Sequence, residues 1–162
     1  MIKNHITIIQ LIPADWQKYR KIRLESLQDE PQAFNSKFEE VSKYPDKYWE
    51  EQLTSKNSLF AFAQIEHEIV GVMNLTFGEE SQPAYVAVVH GAYVSKNFRS
   101  LGVGKSLLNF LVNEVKQSNK IKVMKLWVKG AQTPAIKLYT DLGFKFVRKA
   151  GEHTLIMEKH LE

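Results

Sequence analysis

Residues 98–106, with the sequence FRSLGVGKS, combine the residue types that bind phosphate groups. Gly102 and Gly104 have no side chain, so the backbone N–H groups around them can approach an anion closely. A helix is predicted to follow, and its first N–H groups carry partial positive charge. Arg99 could add a charge-assisted hydrogen bond to the same anion. The spacing by itself fits either an ordinary glycine turn with an exposed arginine or a loop for a phosphate-bearing ligand. Two classes of phosphate ligand each fit part of the segment.

One candidate ligand is a nucleotide held by a P-loop that ends in Gly104-Lys105-Ser106. That motif requires a first glycine at the position of Arg99, where a positive-φ turn would be strained. The strand predicted over residues 122–128 contains no aspartate that could bind magnesium. The dinucleotide motif is also incomplete, because its third glycine would be Leu107. These mismatches argue against a P-loop and a dinucleotide site. They favour the second ligand class, in which the loop from Arg99 to Lys105 surrounds a pyrophosphate.

The composition excludes several other kinds of chemistry. The 162 residues include no cysteine, which excludes disulfides, thiolate metal sites and a covalent cysteine intermediate. The five histidines show no metal-binding spacing, so we expect no metal. The formal charge of +4 suits an anionic ligand, but without a dense basic run we expect no nucleic-acid partner. No apolar run could cross a bilayer and residues 6–12 predict a strand rather than a signal peptide, so we expect a cytoplasmic protein without a membrane partner.

Hydrophobic periodicity predicts the elements that must position the loop. Helices are predicted over residues 13–27, 45–53, 104–116 and 134–142, the last ending at Gly143. Strands are predicted over residues 5–12, 59–65, 69–77, 84–94, 122–128, 144–147 and 154–161. Gly91 interrupts the fourth strand, which suggests a bulge. The resulting order, β-α-α-β-β-β-α-β-α-β-β, predicts one α/β domain over residues 1–162 with a mixed sheet.

Two segments together resemble the GNAT superfamily of acyl-CoA N-acyltransferases. They are YVSKNFRSLGVGKSLL, residues 93–108, and LWVKGAQTPAIKLYTDLGFKFV, residues 126–147. The first contains the family pattern Q/R-x-x-G-x-G/A, and the second contains A-x-x-L-Y-x-x-x-G-F from Ala135 to Phe144. The element order also matches, so the resemblance spans nearly the whole chain. It implies a GNAT-type α+β fold, with helices flanking a mostly antiparallel sheet, and transfer of an acetyl group from acetyl-CoA to an amine.

The resemblance also implies where acetyl-CoA would bind. The strand ending at Val94 and the strand ending at Val128 would splay apart and hold the pantetheine arm. Main-chain groups of Tyr93 and Val94 would face the thioester end. The pyrophosphate would be wrapped by the loop residues Arg99, Ser100, Leu101, Gly102, Val103, Gly104 and Lys105. The remaining cofactor-binding candidates are Lys137 and Gln132, which stands where the family often has asparagine and keeps the amide.

Two side chains are candidates for proton transfer, because the attacking amine must lose a proton and the departing thiolate benefits from a donor. Tyr139 matches the family position that protonates the thiolate, but its spacing also fits the apolar face of a helix. His90 lies near the position where many relatives have a glutamate base, and imidazole exchanges protons near neutral pH. A hydrogen-bonded histidine in an apolar strand is the alternative interpretation. Glu79 and Glu80 would either attract an amine or lie in a solvated loop.

The acceptor, a small-molecule or peptide amine, is left open by the sequence. The family builds its acceptor site from the first helices and the strand loops, which here contain Trp16, Tyr19, Phe34, Phe38, Glu39, Glu40, Tyr48 and Trp49. A second hypothesis is a non-catalytic module that binds or senses acyl-CoA and needs neither Tyr139 nor His90. A third is a P-loop nucleotidase. Relatives often dimerise through their C-terminal strands, so a homodimer is a further candidate.

Overall fold

The computed structural model describes residues 5–162 of the chain. The strands are β1 Ile6–Ile9, β2 Ser58–Ile65, β3 Glu68–Phe77, β4 Val86–Val94, β5 Val123–Lys129, β6 Lys145–Lys149 and β7 Thr154–His160. The helices are α1 Trp16–Asp29, α2 Phe38–Val41, α3 Asp46–Thr54, α4 Val103–Ser118 and α5 Thr133–Asp141. Within this part of the chain, no helix is long and apolar enough to span a membrane.

All seven strands form one sheet in the order β1-β2-β3-β4-β5-β7-β6. Neighbouring strands are antiparallel except β4 and β5, which are parallel. β2 and β3 form a hairpin, and Glu66 begins its two-residue turn with a φ of 57°. The mixed, mostly antiparallel sheet flanked by helices is confirmed.

Alternation along the strands places two different cores on the two faces of the sheet. In β2, Phe60 and Phe62 pack with α1 and α3, whereas Ala61 and Ala63 belong to the core under α4 and α5. This follows from the two-residue period of a strand, which sends successive side chains to opposite faces. The small alanines leave room for the leucine-rich face of α4, and the larger phenylalanines fill the side under α1.

The central strands separate beyond their first residues. Pairing of β4 with β5 is limited to Val86, Ala87 and Val88 against residues 123–125, so the two strands are unpaired beyond these positions. In the same part of β4, Gly91 and Ala92 oppose Met73 alone, and Gly91 has a φ of 61°. This is the bulge that the glycine predicted, since a positive φ costs glycine little. A bulge bends its strand and increases the local twist, and this one lies in the stretch of β4 that is not paired with β5.

The region between Leu27 and Pro45 differs in detail from the prediction. It contains one more helical turn, α2, and a 3₁₀ turn at Pro31–Ala33. The first predicted helix also begins later, because Pro13–Asp15 forms a 3₁₀ turn before α1 starts at Trp16. A single turn is too short to show helical periodicity, so the sequence pattern could not reveal α2.

Candidate active site

The glycine loop forms the N-terminus of α4. Gly102 has a φ of 86° and stands immediately before the helix, and a Cβ there would meet no atom within 4 Å. The first bond of the helix runs from the Ser106 N–H to the Gly102 carbonyl at 3.0 Å. The N–H groups of Val103, Gly104 and Lys105 precede that bond, so no carbonyl within the helix accepts from them. This end of α4 therefore directs a cluster of donors and the positive end of the helix dipole outward.

Gly104 has a packing role that the sequence did not show. A Cβ at this position would lie 3.0 Å from Leu138 Cδ2. The absence of a side chain thus lets the first turn of α4 approach α5 closely. That contact places the phosphate-type loop beside the helix that carries Tyr139.

Arg99 is held by the end of α1. Its Nη2 donates to Asp29 Oδ2 at 2.7 Å and lies 3.3 Å from Glu30 Oε1, while its Nε donates to the Val94 carbonyl at 3.0 Å. The Tyr93 hydroxyl donates to the same Asp29 oxygen at 2.9 Å. The hydrogen bond from Tyr93, together with Arg99, holds the pKa of Asp29 below its ordinary value, so the carboxylate is ionised at neutral pH. In this arrangement Arg99 ties the loop to α1, and the sequence pattern had given no sign of Asp29 as its partner.

A cleft of about 590 Å³ lies where β4 and β5 separate. One wall comes from residues 89–92 of β4, and the opposite wall comes from residues 126–129 of β5. Side chains of α5, α1 and the segment 33–36 complete the lining. Both proton-transfer candidates, His90 and Tyr139, lie in this lining.

Tyr139 is buried at the edge of the hydrophobic core, and the turn after α5 fixes its position. The Phe144 N–H donates to the Tyr139 carbonyl at 2.9 Å and the Gly143 N–H donates to the Thr140 carbonyl at 3.1 Å, with Gly143 at a φ of 91°. These bonds form a Schellman motif, which confirms Gly143 as the helix stop. Burial raises the pKa of Tyr139 to about 12. The phenol therefore keeps its proton at every physiological pH, as a proton donor must.

His90 is bound to an acidic partner. Its Nε2 lies 2.7 Å from Glu79 Oε1, and the Thr76 hydroxyl donates to the same oxygen. Burial alone would raise the pKa of Glu79, but the hydrogen bonds from Thr76 and His90 outweigh burial and lower it. Because an ionised carboxylate only accepts, Nε2 donates to Glu79, and in the neutral imidazole Nδ1 is then the acceptor. Eleven positions separate the two residues in the chain, so no local pattern in the sequence indicates that they pair.

The other predicted cofactor residues fall into two groups. Gln132 lies in the cleft lining, and Val94 ends β4 beside the loop. Lys137 lies on the exposed face of α5, where its Nζ is 2.7 Å from Asp141 Oδ2, and it does not line the cleft. Among residues 5–162, no group of three or more His, Cys, Asp or Glu side chains could hold a metal ion.

The sequence of the chain identifies its family once it is compared with known proteins. The sequence model of the Acetyltransferase (GNAT) family matches residues 20–144, which is more than half of the chain. The chain belongs to this family. The resemblance drawn from the two motifs is confirmed, and so is the prediction of an acetyl-CoA-dependent N-acetyltransferase.

Individual members of the GNAT family resemble the chain in sequence or in fold. An N-alpha-acetyltransferase from Sulfurisphaera tokodaii is 28% identical over 112 residues, which cover 65% of this chain and 67% of that protein. An acetyltransferase of the GNAT family from Streptococcus pneumoniae superposes with a TM-score of 0.84 at 18% identity, covering 98% of this chain and 100% of that one. The PaiA N-acetyltransferase from Thermoplasma acidophilum, solved in complex with coenzyme A, gives 0.76 at 20% identity and covers 97% and 99%.

Proposed function

We propose that this GNAT protein transfers the acetyl group of acetyl-CoA to a primary amine by direct attack, with both substrates bound in the cleft between β4 and β5. One observation carries the proposal. The same cleft is lined by a buried tyrosine that retains its proton and by a histidine whose free nitrogen accepts one. The absence of cysteine agrees with direct attack, because the usual acyl-enzyme nucleophile is missing.

The local structure fits acetyl-CoA as the co-substrate. The free N–H groups at the start of α4 suit a pyrophosphate, and the unpaired edges of β4 and β5 suit the amide groups of a pantetheine arm. The loop residues from Arg99 to Lys105, together with Tyr93, Val94 and Gln132, are the proposed contacts. Arg99 and Lys137 would have to exchange their present carboxylate partners to reach a phosphate, so we place the main phosphate contact on the backbone of residues 102–105.

His90 is the proposed base for the amine. The Glu79 carboxylate fixes its Nε2 proton and stabilises the cation that forms when Nδ1 takes a proton from the amine, directly or through one water. The arrangement is that of a histidine oriented by a carboxylate, which holds one tautomer ready to accept. The neutral amine nitrogen then forms a bond to the acetyl carbon as the bond between that carbon and the CoA sulfur breaks. The second proton on that nitrogen and the proton held by His90 pass to solvent.

Tyr139 is the proposed acid for the departing sulfur. Its hydroxyl gives a proton to the thiolate, and the resulting phenolate recovers one from solvent. A phenol whose pKa is about 12 does not lose its proton before it is needed. The phenol is also packed on Phe144, with ring centroids 5.7 Å apart, so it stays in one position during the reaction.

The acceptor is proposed to be a small-molecule or peptide amine. The relative from Sulfurisphaera tokodaii is named as an N-alpha-acetyltransferase, which supports an α-amine.

A cytoplasmic location and a homodimer stay predictions. Phe146 and Val147, which are 57% and 48% exposed on the edge strand β6, are where a second copy would dock.

Calorimetric titration with acetyl-CoA, and separately with ATP and magnesium, tests the co-substrate. Gly102→Asp introduces a carboxylate beside the proposed pyrophosphate and should weaken acetyl-CoA binding at least about tenfold, because two anions would then share the helix N-terminus. Gly151→Asp is the matched control, since Gly151 has a φ of 87° and equally open surroundings. Binding of ATP alone would overturn the proposal. Acetyl-CoA binding without thiol release on any amine would instead favour a non-catalytic binding module.

A further inference from the structure

Arg23 lies in the middle of α1 and lines the cleft together with Phe34, Asn35 and Ser36. Its guanidinium carbon lies 4.8 Å above the centre of the Phe34 ring. Its Nη1 is buried and has no hydrogen-bond partner within residues 5–162. A guanidinium carries five N–H donors in a planar fork, so Arg23 holds unused binding capacity beside the cleft.

The positive charge of Arg23 is not compensated by its surroundings. Among the described residues, no carboxylate lies within 4.0 Å of it. The titratable groups that face it are the phenols of Tyr19, Tyr44 and Tyr48. Burial raises the pKa of Tyr19 and of Tyr48, so those two phenols stay neutral. Burial lowers the pKa of Arg23 itself, but a guanidinium keeps its charge in a protein.

The cleft as a whole favours anions over cations. Its lining includes the cationic side chains of Arg23 and Lys129 and the imidazole of His90, and no aspartate or glutamate of residues 5–162 belongs to it. Glu79 is bonded to His90 and does not belong to the lining. A polyamine would bring several positive charges against this lining, whereas an acceptor with a negative group would meet complementary charge.

We propose that Arg23 binds an anionic group of the acceptor, so that the substrates are amines that also carry a carboxylate or a phosphate. The reacting amine would lie toward His90, and the anion would form a forked hydrogen-bonded pair with the guanidinium. A charged group that is buried without a partner lowers the stability of a protein. Such a group is retained most readily where a bound ligand supplies the opposite charge. This inference rests on the proposed acetyl transfer in the same cleft.

The test compares matched acceptors by release of coenzyme A thiol. Three pairs separate the sources of the anion: L-amino acids against their α-carboxamides, tripeptides that begin with Asp or Glu against those that begin with Asn or Gln, and O-phosphoethanolamine against ethanolamine. We expect the wild-type protein to prefer the anionic member of at least one pair by tenfold or more in kcat/KM. Arg23→Met should reduce kcat/KM for that member at least tenfold and change the neutral member less than threefold.

Arg20→Met is the control variant, because it removes one positive charge from the same helix at a side chain that bonds to the Ser42 carbonyl and lies outside the cleft. It should leave the preference unchanged. Acetyl-CoA affinity, measured by calorimetry, should be equal in all three proteins, which shows that Arg23→Met is folded and acts on the acceptor. Binding of the same pairs to the coenzyme A-loaded protein is measured by thermal shift as a readout independent of turnover.

The outcomes separate this inference from the proposed function. Two results would overturn the role of Arg23 and leave acetyl transfer intact. One is turnover that is equal for anionic and neutral amines, and the other is a loss of kcat/KM in Arg23→Met that is equal for both kinds of amine. Binding that prefers the anion and depends on Arg23, without turnover, would support the anion site and refute the proposed transfer. Absence of any binding preference in the thermal-shift measurement would refute the anion site whatever the activity.

Discussion

Tyr139→Phe tests whether Tyr139 is a proton donor or only a core residue, because the substitution removes a single oxygen atom. The substitution keeps the ring that packs on Phe144 and removes the hydroxyl of a residue that lines the cleft. If Tyr139 protonates the departing thiolate, kcat should fall by about 10² to 10⁴, the usual range for loss of a general acid. That range corresponds to about 2.7–5.4 kcal/mol of activation free energy.

The free energy of unfolding should change little in the same variant. Desolvation is the cause of the raised pKa of Tyr139, with no contribution from a hydrogen bond in the described structure. Removal of the hydroxyl therefore leaves no buried partner unsatisfied, and we expect a change below about 1 kcal/mol. Tyr93→Phe is the matched control, because the Tyr93 hydroxyl donates to Asp29 at 2.9 Å. Loss of that bond to a carboxylate should cost about 1.5–3 kcal/mol of stability, with a smaller effect on kcat than Tyr139→Phe has.

The assay is thiol release at saturating acetyl-CoA, with the best acceptor of the panel described above, beside urea unfolding of both variants. A Tyr139→Phe protein that keeps kcat within threefold would refute the donor role and leave the tyrosine as a packing residue. A large loss of stability without loss of kcat would refute it in the same way. A loss of both stability and kcat in Tyr139→Phe, with a similar loss of kcat in the destabilised Tyr93→Phe, would show that the buried hydroxyl is a structural group.

Two further predictions concern stability. Gly102→Ala and Gly151→Ala should each lower the free energy of unfolding by about 1 kcal/mol. Both glycines have φ values near 87°, so an alanine there would strain the backbone although its Cβ would contact no other atom. Urea unfolding measures this, and an unchanged stability of Gly102→Ala would contradict the left-handed turn before α4. The pKa of Glu79 in the folded protein lies below its ordinary value of 4.5, so its interactions stabilise the protein above that pH and are lost as the pH falls through the lowered pKa. Glu79→Gln should therefore reduce the loss of unfolding free energy on acidification below pH 4.5. Urea unfolding at a series of pH values measures this, and an equal loss in both proteins would refute the pairing with His90.

Features that depend on neighbouring residues could be predicted from the sequence. Gly91 and Gly143 predicted a bulge and a helix stop, and each has a positive φ in the structure. Their conformational freedom is a property of the residue itself, so no tertiary contact was needed to infer it. The short α2 and the partner of Arg99 were not predicted, because neither leaves a periodic or local pattern.

The sequence by itself determined the loop before α4, the face of α5 that carries Tyr139 and the family to which the chain belongs, because glycine geometry and helical periodicity act over a few residues. Only the tertiary structure decided which charges meet. It joined His90 to Glu79 and tied Arg99 to Asp29 over a separation of 70 residues. It also left Arg23 beside the cleft with no carboxylate partner among residues 5–162. Electrostatic pairing depends on distance through space, and the fold sets that distance for residues that lie far apart in the chain.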